Sequence, residues 1–185
     1  TKISHFGSIL SLVYLIAITG ALHVDGLSDT ADGLFSHRSR EKKLEIMKDS
    51  HVGVMGLVAV LVVLLAKYES LKLVSAMSIF LIPSYGRLMA LLVMRKLPYA
   101  RSEGTGKYFQ SQRDLKYGSI LVFSPVFLSV FMGGYAFMLV NVVFFISYLL
   151  VTHFYKRMIG GWTGDMIGAS IEVTESLLFV LWYFL

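Results

Sequence analysis

Residues 23–56 read HVDGLSDTADGLFSHRSREKKLEIMKDSHVGVMG, a polar stretch between two strongly apolar segments. If its first part is helical, the aspartates at positions 25, 29 and 32 follow the i, i+4, i+7 spacing and project from one face. Carboxylates side by side repel one another unless a cation lies between them, and hard oxygen ligands favour magnesium, manganese or calcium. The stretch therefore predicts a divalent-metal site at a membrane boundary, although a solvated face or helix caps would also use such residues. The predicted metal ligands are Asp25, Asp29, Asp32 and Asp49.

The composition predicts an all-α, polytopic membrane protein. Hydrophobic residues make up 56% of the 185 residues and charged residues only 16%, whereas a soluble domain carries about a quarter charged residues. The absence of cysteine excludes disulfides, thiolate metal sites and cysteine nucleophiles. The net charge of +5 favours contact with anionic lipid or phosphate-bearing substrates. Nucleic-acid binding is not predicted, because no soluble basic domain exists to carry it.

The apolar segments predict a bundle of about six transmembrane helices in one membrane-embedded domain covering residues 1–185. The predicted spans are 3–22, 51–66, 73–94 (interrupted at Pro83 to Arg87), 117–132, 135–155 and 165–185, with a tight hairpin at Gly133 and Gly134. Lysines and arginines cluster after the first, third and fifth spans, which the positive-inside rule assigns to the cytoplasm. Only Lys2, Lys67 and Lys72 fall on the other side. The metal site is therefore predicted at the cytoplasmic face of the membrane.

A second informative stretch, GGWTGDMIGASIEVTE, covers residues 160–175. Glycine-rich backbone that leads into a helix presents free N–H groups to an anion. The helical offsets roughly align Asp165, Glu172 and Glu175 on one face. Acids this deep in a span are rarely without a role. A helix cap followed by two acids buried for packing is the alternative.

Basic residues near the apolar segments suggest phosphate contacts. Arg87 lies inside a span, where an arginine is costly, so it either neutralises buried acids or binds an anionic substrate through its bidentate fork. Arg101 could reach phosphate from its loop, although loop cations often only set the topology. Glu45 and Asp49, with Lys48 beside them, suit either a phosphate contact or a plain interfacial helix. His23 and Asp25 could share a metal.

The sequence contains no nucleophile elbow, P-loop or dinucleotide fingerprint. Acids and basic residues without an activated nucleophile favour metal-assisted phosphoryl transfer, in which the protein mainly positions groups and neutralises charge.

Five blocks, spread over most of the chain, resemble the cobalamin synthase (adenosylcobinamide-GDP ribazoletransferase) family in order and spacing. They are HVDGLSDTADG, LEIMKDSHVGVMG, the segment around Arg87, YARSEGTG and GGWTGDMIGASIEVTE. The resemblance implies an integral enzyme of the cytoplasmic (inner) membrane of a prokaryote that requires magnesium, with manganese as a substitute. It would join adenosylcobinamide-GDP to α-ribazole or its 5′-phosphate and release GMP. Family members usually carry a further N-terminal region with another apolar segment, and its absence here would change the topology and put activity in doubt.

The resemblance also implies roles for individual residues. The four aspartates would hold metal and diphosphate, one carboxylate would accept the proton of the attacking hydroxyl, and two arginines, Arg87 and Arg101, would offset charge on the phosphoryl group. The predicted catalytic residues are Asp29, Asp32, Asp165 and Arg87. The predicted substrate-binding residues are His23, Glu45, Lys48, Ser50, Arg87, Arg101, Gly161, Thr163, Gly164, Asp165, Glu172 and Glu175.

Three other functions would account for part of this pattern. A CDP-alcohol phosphotransferase also uses aspartates on membrane helices, but its DGxxAR signature fails here, because no arginine stands at that place after Asp25 and Gly26. A cation transporter would suit Arg87, Glu172 and Glu175, yet transporters seldom gather acids at one boundary beside a basic loop. A structural membrane subunit leaves the aspartates unexplained. Association with membrane lipid is expected, and a homo-oligomer stays open.

Overall fold

The computed structural model describes residues 5–104, 106–111, 124–132 and 134–185. The described residues form no β-strand, only one isolated bridge between Tyr99 and Trp162. The predicted all-α class is therefore confirmed. In chain order the helices are α1 His5–Ala17, α2 Leu22–Leu34, α3 Arg40–Ile46, α4 Val54–Leu71, α5 Ala76–Lys96, α6 Gly106–Ser111, α7 Ser124–Met132, α8 Tyr135–Met158 and α9 Gly164–Tyr183.

Four of these helices are long and apolar enough to cross a membrane. They are Val54–Leu71, Met77–Lys96 within α5, Tyr135–Met158 and Gly164–Tyr183, and α1 with α2 together qualify as a fifth span with a sharp bend. The predicted span 117–132 is described only from residue 124, and Gly133 of the predicted hairpin lies outside the described residues. The chain is therefore a helical membrane protein, and the count of six spans stays a prediction.

The first span differs from its prediction. Instead of one straight helix over residues 3–22, α1 ends at Ala17 and the chain turns by 79° into α2. Gly20 and Ala21 adopt φ values of 58° and 60°, the left-handed region that a continuing α-helix cannot use. The turn places the first aspartates on a separate helix, α2, and their predicted helical spacing is confirmed.

The second and third spans also differ from their predictions. Helix α4 continues through Lys67 to Leu71, so the assignment of Lys67 to a loop on the far side is wrong. Its ammonium group is only 2% exposed and is held by carboxylates of α9, which makes burial tolerable. The predicted interruption at Pro83 is wrong as well, because α5 remains one helix; transmembrane helices tolerate the loss of one backbone donor.

Helix α9 lies at the centre of the fold, packed against α2, α4 and α5. Its contact with α2 is unusually close: a Cβ added at Gly26 would lie 2.7 Å from the carbonyl oxygen of Asp165, and one at Gly168 would lie 3.1 Å from the Cα of His23. Small residues allow helix backbones to approach in this way. The two helices run antiparallel, and the aspartates of α2 are thereby brought beside the start of α9.

Candidate active site at the start of helix α9

Four carboxylates and one arginine gather where α2 meets α9. Asp29 is within electrostatic range of Asp25, Asp32 and Asp165, and of the guanidinium of Arg101. No described residue donates a hydrogen bond to Asp25 or Asp29, so their oxygens remain available for a ligand. Because like charges in a partly buried site repel, this arrangement favours a cation or a proton donor beside it.

Asp32 has a definite structural contact within this cluster. Its two carboxylate oxygens accept hydrogen bonds from the backbone N–H groups of Gly53, at 2.7 Å, and Gly56, at 2.8 Å. A Cβ at either glycine would lie 2.4 Å from that carboxylate. Asp32 therefore caps the N-terminus of α4 from a neighbouring helix, where a negative charge is stabilising.

Arg101 is held next to the cluster by hydrogen bonds between the loop after α5 and the loop before α9. Its Nη2 donates to Asp165 Oδ2 at 2.6 Å. The backbone of Trp162 exchanges hydrogen bonds with Pro98 and Ala100, both at 2.9 Å, and the Trp162 indole donates to the carbonyl of Leu97 at 3.1 Å. The residues just before α9 therefore hold the segment that carries Arg101.

A third element fastens the same loops. Arg40, at the start of α3, donates through Nε to the carbonyl of Ile159 at 2.7 Å and through Nη2 to the carbonyl of Ala100 at 2.9 Å. The first carbonyl ends α8 and the second immediately precedes Arg101. The segments after α2, α5 and α8 thus meet at one face of the bundle.

Deeper in the bundle lies a second group of charges. Lys67 of α4 donates to Glu172 and Glu175 of α9, and Arg87 of α5 binds Glu175. Arg87 also contributes the one charge among the described residues that line a largely apolar groove of about 760 Å³ between α1, α5 and α7. Glu175 stands ten residues after Asp165 on α9, a distance of about 15 Å.

The oxygen donors of the cluster suit magnesium. Among the described residues, no three histidine or acidic side chains converge into a ready-made metal cage. Magnesium is usually held by one or two carboxylates together with substrate phosphates and water, rather than by a cage made only of protein. The unpaired carboxylates of Asp25 and Asp29, next to Asp165, fit that mode of binding.

Comparison with known proteins decides the family. The family model described as cobalamin-5-phosphate synthase matches residues 2–183. The chain belongs to the cobalamin-5-phosphate synthase family. Among its relatives, the adenosylcobinamide-GDP ribazoletransferase of Desulforamulus reducens is 39% identical, covering 94% of this chain and 71% of the relative. Those of Alkaliphilus oremlandii and Escherichia coli K12 are each 36% identical, covering 96% and 94% of this chain and 72% and 73% of the relatives. No solved structure matches the chain.

The resemblance to cobalamin synthases is thus confirmed, and the fold brings only part of the predicted site together. Asp25, Asp29, Asp32, Asp165 and Arg101 converge. Thr163 caps α9, because its hydroxyl oxygen accepts a hydrogen bond from the N–H of Met166 at 3.2 Å. Gly161 allows the close approach of the loop at Pro98, and Gly164 is the first residue of α9. His23, Arg87, Glu172 and Glu175 form the deeper group.

The other predicted metal- and substrate-binding residues lie on α3 and the loop after it. Asp49 hydrogen-bonds His51 and Glu45 pairs with Lys42, while Lys48 and Ser50 are exposed. The structure does not bring this set into the carboxylate cluster, because short-range partners on the same surface hold the acids. The roles of these four residues in metal and substrate binding stay predictions.

Sequence reasoning missed the two basic residues that organise these charges. Lys67 follows an apolar run, so the sequence suggests that a loop begins there. Arg40 belongs to a cluster of basic residues that the sequence explains only as a signal for orientation in the membrane. The usable signal for Lys67 was the pair of glutamates inside the last span, which required a buried cation. Nothing in the sequence distinguished Arg40 from Arg38.

We expect Arg40→Ala to lower kcat/KM about tenfold, the equivalent of about 1.4 kcal/mol. The substitution removes the two hydrogen bonds by which Arg40 joins the carbonyl groups of Ile159 and Ala100. The guanidinium of Arg101 is then no longer held in position to bind Asp165. Arg38→Ala is the matched control, because Arg38 is exposed and no described residue pairs with it. Steady-state kinetics of both variants test the prediction; equal effects of the two substitutions would contradict it.

We also expect Asp49 to hold His51 protonated to higher pH. The hydrogen bond that His51 Nδ1 donates to Asp49 Oδ1, at 2.6 Å, raises the pKa of His51 and lowers the pKa of Asp49. In Asp49→Asn the His51 pKa should fall toward the ordinary histidine value, as measured by NMR titration of histidine-labelled protein. Glu45→Gln is the control and should leave it unchanged. An unaltered His51 titration in Asp49→Asn would refute the pairing.

Proposed function

We propose that this chain is an adenosylcobinamide-GDP ribazoletransferase that acts late in cobalamin assembly. The observation that carries the proposal is the family match over residues 2–183, together with relatives named adenosylcobinamide-GDP ribazoletransferase that align with 94–96% of this chain. Family membership does not favour the CDP-alcohol phosphotransferase or the cation transporter.

The proposed reaction is a phosphoryl transfer from adenosylcobinamide-GDP to α-ribazole or its 5′-phosphate. A ribose hydroxyl attacks the phosphorus that carries the cobinamide, and a new P–O bond forms. The bond from that phosphorus to the GMP oxygen breaks, and GMP leaves with the bonding electrons. The hydroxyl proton passes to a carboxylate of the cluster. Asp29 is the favoured acceptor, because its carboxylate lies among Asp25, Asp32 and Asp165 and accepts no hydrogen bond from a described residue.

The remaining charged groups of the cluster would bind the phosphate oxygens and the metal. Arg101, already paired with Asp165, offers further N–H donors to phosphate oxygens. Asp25 and Asp29, with Asp165 and Asp32 beside them, would hold magnesium or manganese. That metal would offset the negative charge of the diphosphate. Asp32 keeps lone pairs for such contacts while it caps α4, since a carboxylate has about four acceptor sites.

Arg87 is not assigned to the reacting phosphorus. Its partner Glu175 lies about 15 Å along α9 from Asp165, the partner of Arg101, so the two arginines do not converge on one phosphoryl group. The charge on the transferring group is therefore assigned to Arg101. We further propose that the cluster faces the cytoplasm, because the basic segments after α2, α5 and α8 meet at its face.

The test is turnover by the purified chain in liposomes supplied with adenosylcobinamide-GDP, α-ribazole and magnesium. GMP release and formation of the corrinoid product should both be observed, and both should stop when magnesium is chelated and resume when it is restored. Product formation without magnesium would remove the metal from the proposal. Absence of product under all these conditions, from protein with a cooperative thermal transition, would overturn the function itself.

A further inference from the structure

A lysine buried among four helices stands outside the reaction described above. Lys67 of α4 is 2% exposed, and its Nζ donates to Glu172 Oε2 at 2.7 Å and to Glu175 Oε2 at 2.8 Å. A buried ammonium group is tolerated only when paired and hydrogen-bonded in this manner. From the sequence alone, this lysine is predicted to lie in a loop and to have no role in the reaction.

The charges around Lys67 balance. The groups that face one another are His23 from α2, Lys67 from α4, Arg87 from α5, and Glu172 and Glu175 from α9. Two cations match two carboxylates, and the histidine adds no charge when neutral. Removal of Lys67 alone would leave a carboxylate without a counter-charge in the bundle, which is strongly destabilising.

The network reaches the active site through Glu172. While Oε2 of this residue accepts from Lys67, Oε1 faces Nδ1 of His23 at 4.0 Å. The His23 Nδ1 atom is buried and has no hydrogen-bond partner among the described residues. His23 belongs to the first turn of α2 and precedes Asp25 by two residues and Asp29 by six. The carboxylate held by Lys67 is therefore the acidic group next to the beginning of the helix that carries the aspartates.

We infer that Lys67 is a positioning residue for the active site: by holding Glu172, it sets the position of His23 and of the first turn of α2. Because Asp25 and Asp29 lie on that same helix, a shift of its first turn displaces them from Asp165 and Arg101. The inference rests on the proposed function for its kinetic part. The competing explanation is that Lys67 merely ties α4 to α9.

A double-mutant cycle separates the two explanations. Lys67→Met removes the charge, Glu172→Gln removes the carboxylate that faces His23, and the double variant removes both while leaving the Arg87–Glu175 pair balanced. If Lys67 acts through Glu172, the double variant regains most of the melting temperature lost in Lys67→Met. Its kcat nevertheless stays within threefold of that of Glu172→Gln, because residues that act in one chain of contacts are not additive.

We expect kcat to fall at least thirtyfold in each single variant, with smaller changes in KM. Recovery of kcat together with melting temperature in the double variant would mean that Lys67 is only a tie between helices. A rate loss equal to the product of the two single losses would mean that Lys67 does not act through Glu172. Either result overturns the inference.

A spectroscopic measurement keeps the test independent of turnover and of the folding of Lys67→Met. The chain has no cysteine, so Leu22→Cys on α2 and Phe184→Cys at the end of α9, 72% and 77% exposed, can be spin-labelled cleanly. Pulsed dipolar EPR should show a broader distance distribution for this pair in the charge-balanced double variant than in the parent. Labels at Phe145→Cys on α8 and Phe184→Cys are the control and should be unchanged. Identical distributions for the α2 pair would overturn the inference.

The two proposals fail in different ways. If the parent protein does not turn over, the proposed function falls, and the EPR comparison still decides whether Lys67 positions α2. If the parent turns over and the double variant recovers both rate and EPR distribution, only the role of Lys67 falls.

Discussion

Asp29→Asn is expected to reduce GMP release on the order of a thousandfold, the range typical of removing a general base. Asp29 lies among Asp25, Asp32 and Asp165, and the amide that replaces its carboxylate neither accepts the hydroxyl proton nor binds magnesium comparably. The melting temperature should stay the same or rise, because one of four mutually repelling carboxylates is removed. Loss of activity without loss of stability is the usual signature of such a site.

Glu69→Gln is the matched control for this prediction. Glu69 is an exposed carboxylate near the other end of α4, where it pairs with Lys72 at 2.5 Å, and the substitution also exchanges an acid for an amide. Its turnover should remain within twofold of the wild type. A wild-type rate in Asp29→Asn would exclude Asp29 as the base, and equal losses in both variants would indicate a nonspecific effect on the membrane protein.

Gly26→Val is expected to destabilise the fold by at least about 2 kcal/mol and to lower turnover roughly a hundredfold. A Cβ at this position would lie 2.7 Å from the carbonyl oxygen and 3.0 Å from the Cα of Asp165. Both atoms are backbone, so no side-chain rotation relieves the clash, and α2 must move away from α9. The aspartates move with it, which is why activity should fall along with stability.

Thermal unfolding in detergent measures the first effect, and a loss of about 2 kcal/mol corresponds to roughly 4–8 °C for a chain of this size. Gly164→Ala is the control for stability alone, since a Cβ there meets nothing within 4 Å. Its melting temperature should stay within about 2 °C of the wild type. If Gly26→Val unfolds at the wild-type temperature, the close contact between α2 and α9 does not exist in the protein.

Local patterns in the sequence were enough to predict the class of the fold and the spacing of the aspartates. Long apolar runs with few charged residues predict membrane helices, and the positions 25, 29 and 32 share a helical face in any helix, because 3.6 residues per turn is a property of the backbone. The family could be recognised for the same reason: its motifs are contiguous in the chain. Asp165 beside these aspartates was expected only through that resemblance.

Tertiary structure decided which charged groups meet. Lys67 and Glu172 are 105 residues apart, Arg101 and Asp165 are 64 apart, and Arg40 reaches a carbonyl 119 residues away. Such contacts depend on how α2, α4, α5 and α9 are packed, and the close approach at Gly26 controls part of that packing. The electrostatic free energy of a buried charge depends on its nearest partners, and sequence spacing does not specify those. The sequence by itself therefore determined the helices and the acidic face, whereas the packing around α9 decided that Arg101 joins the aspartates and that Arg87 pairs with Glu175 in the interior.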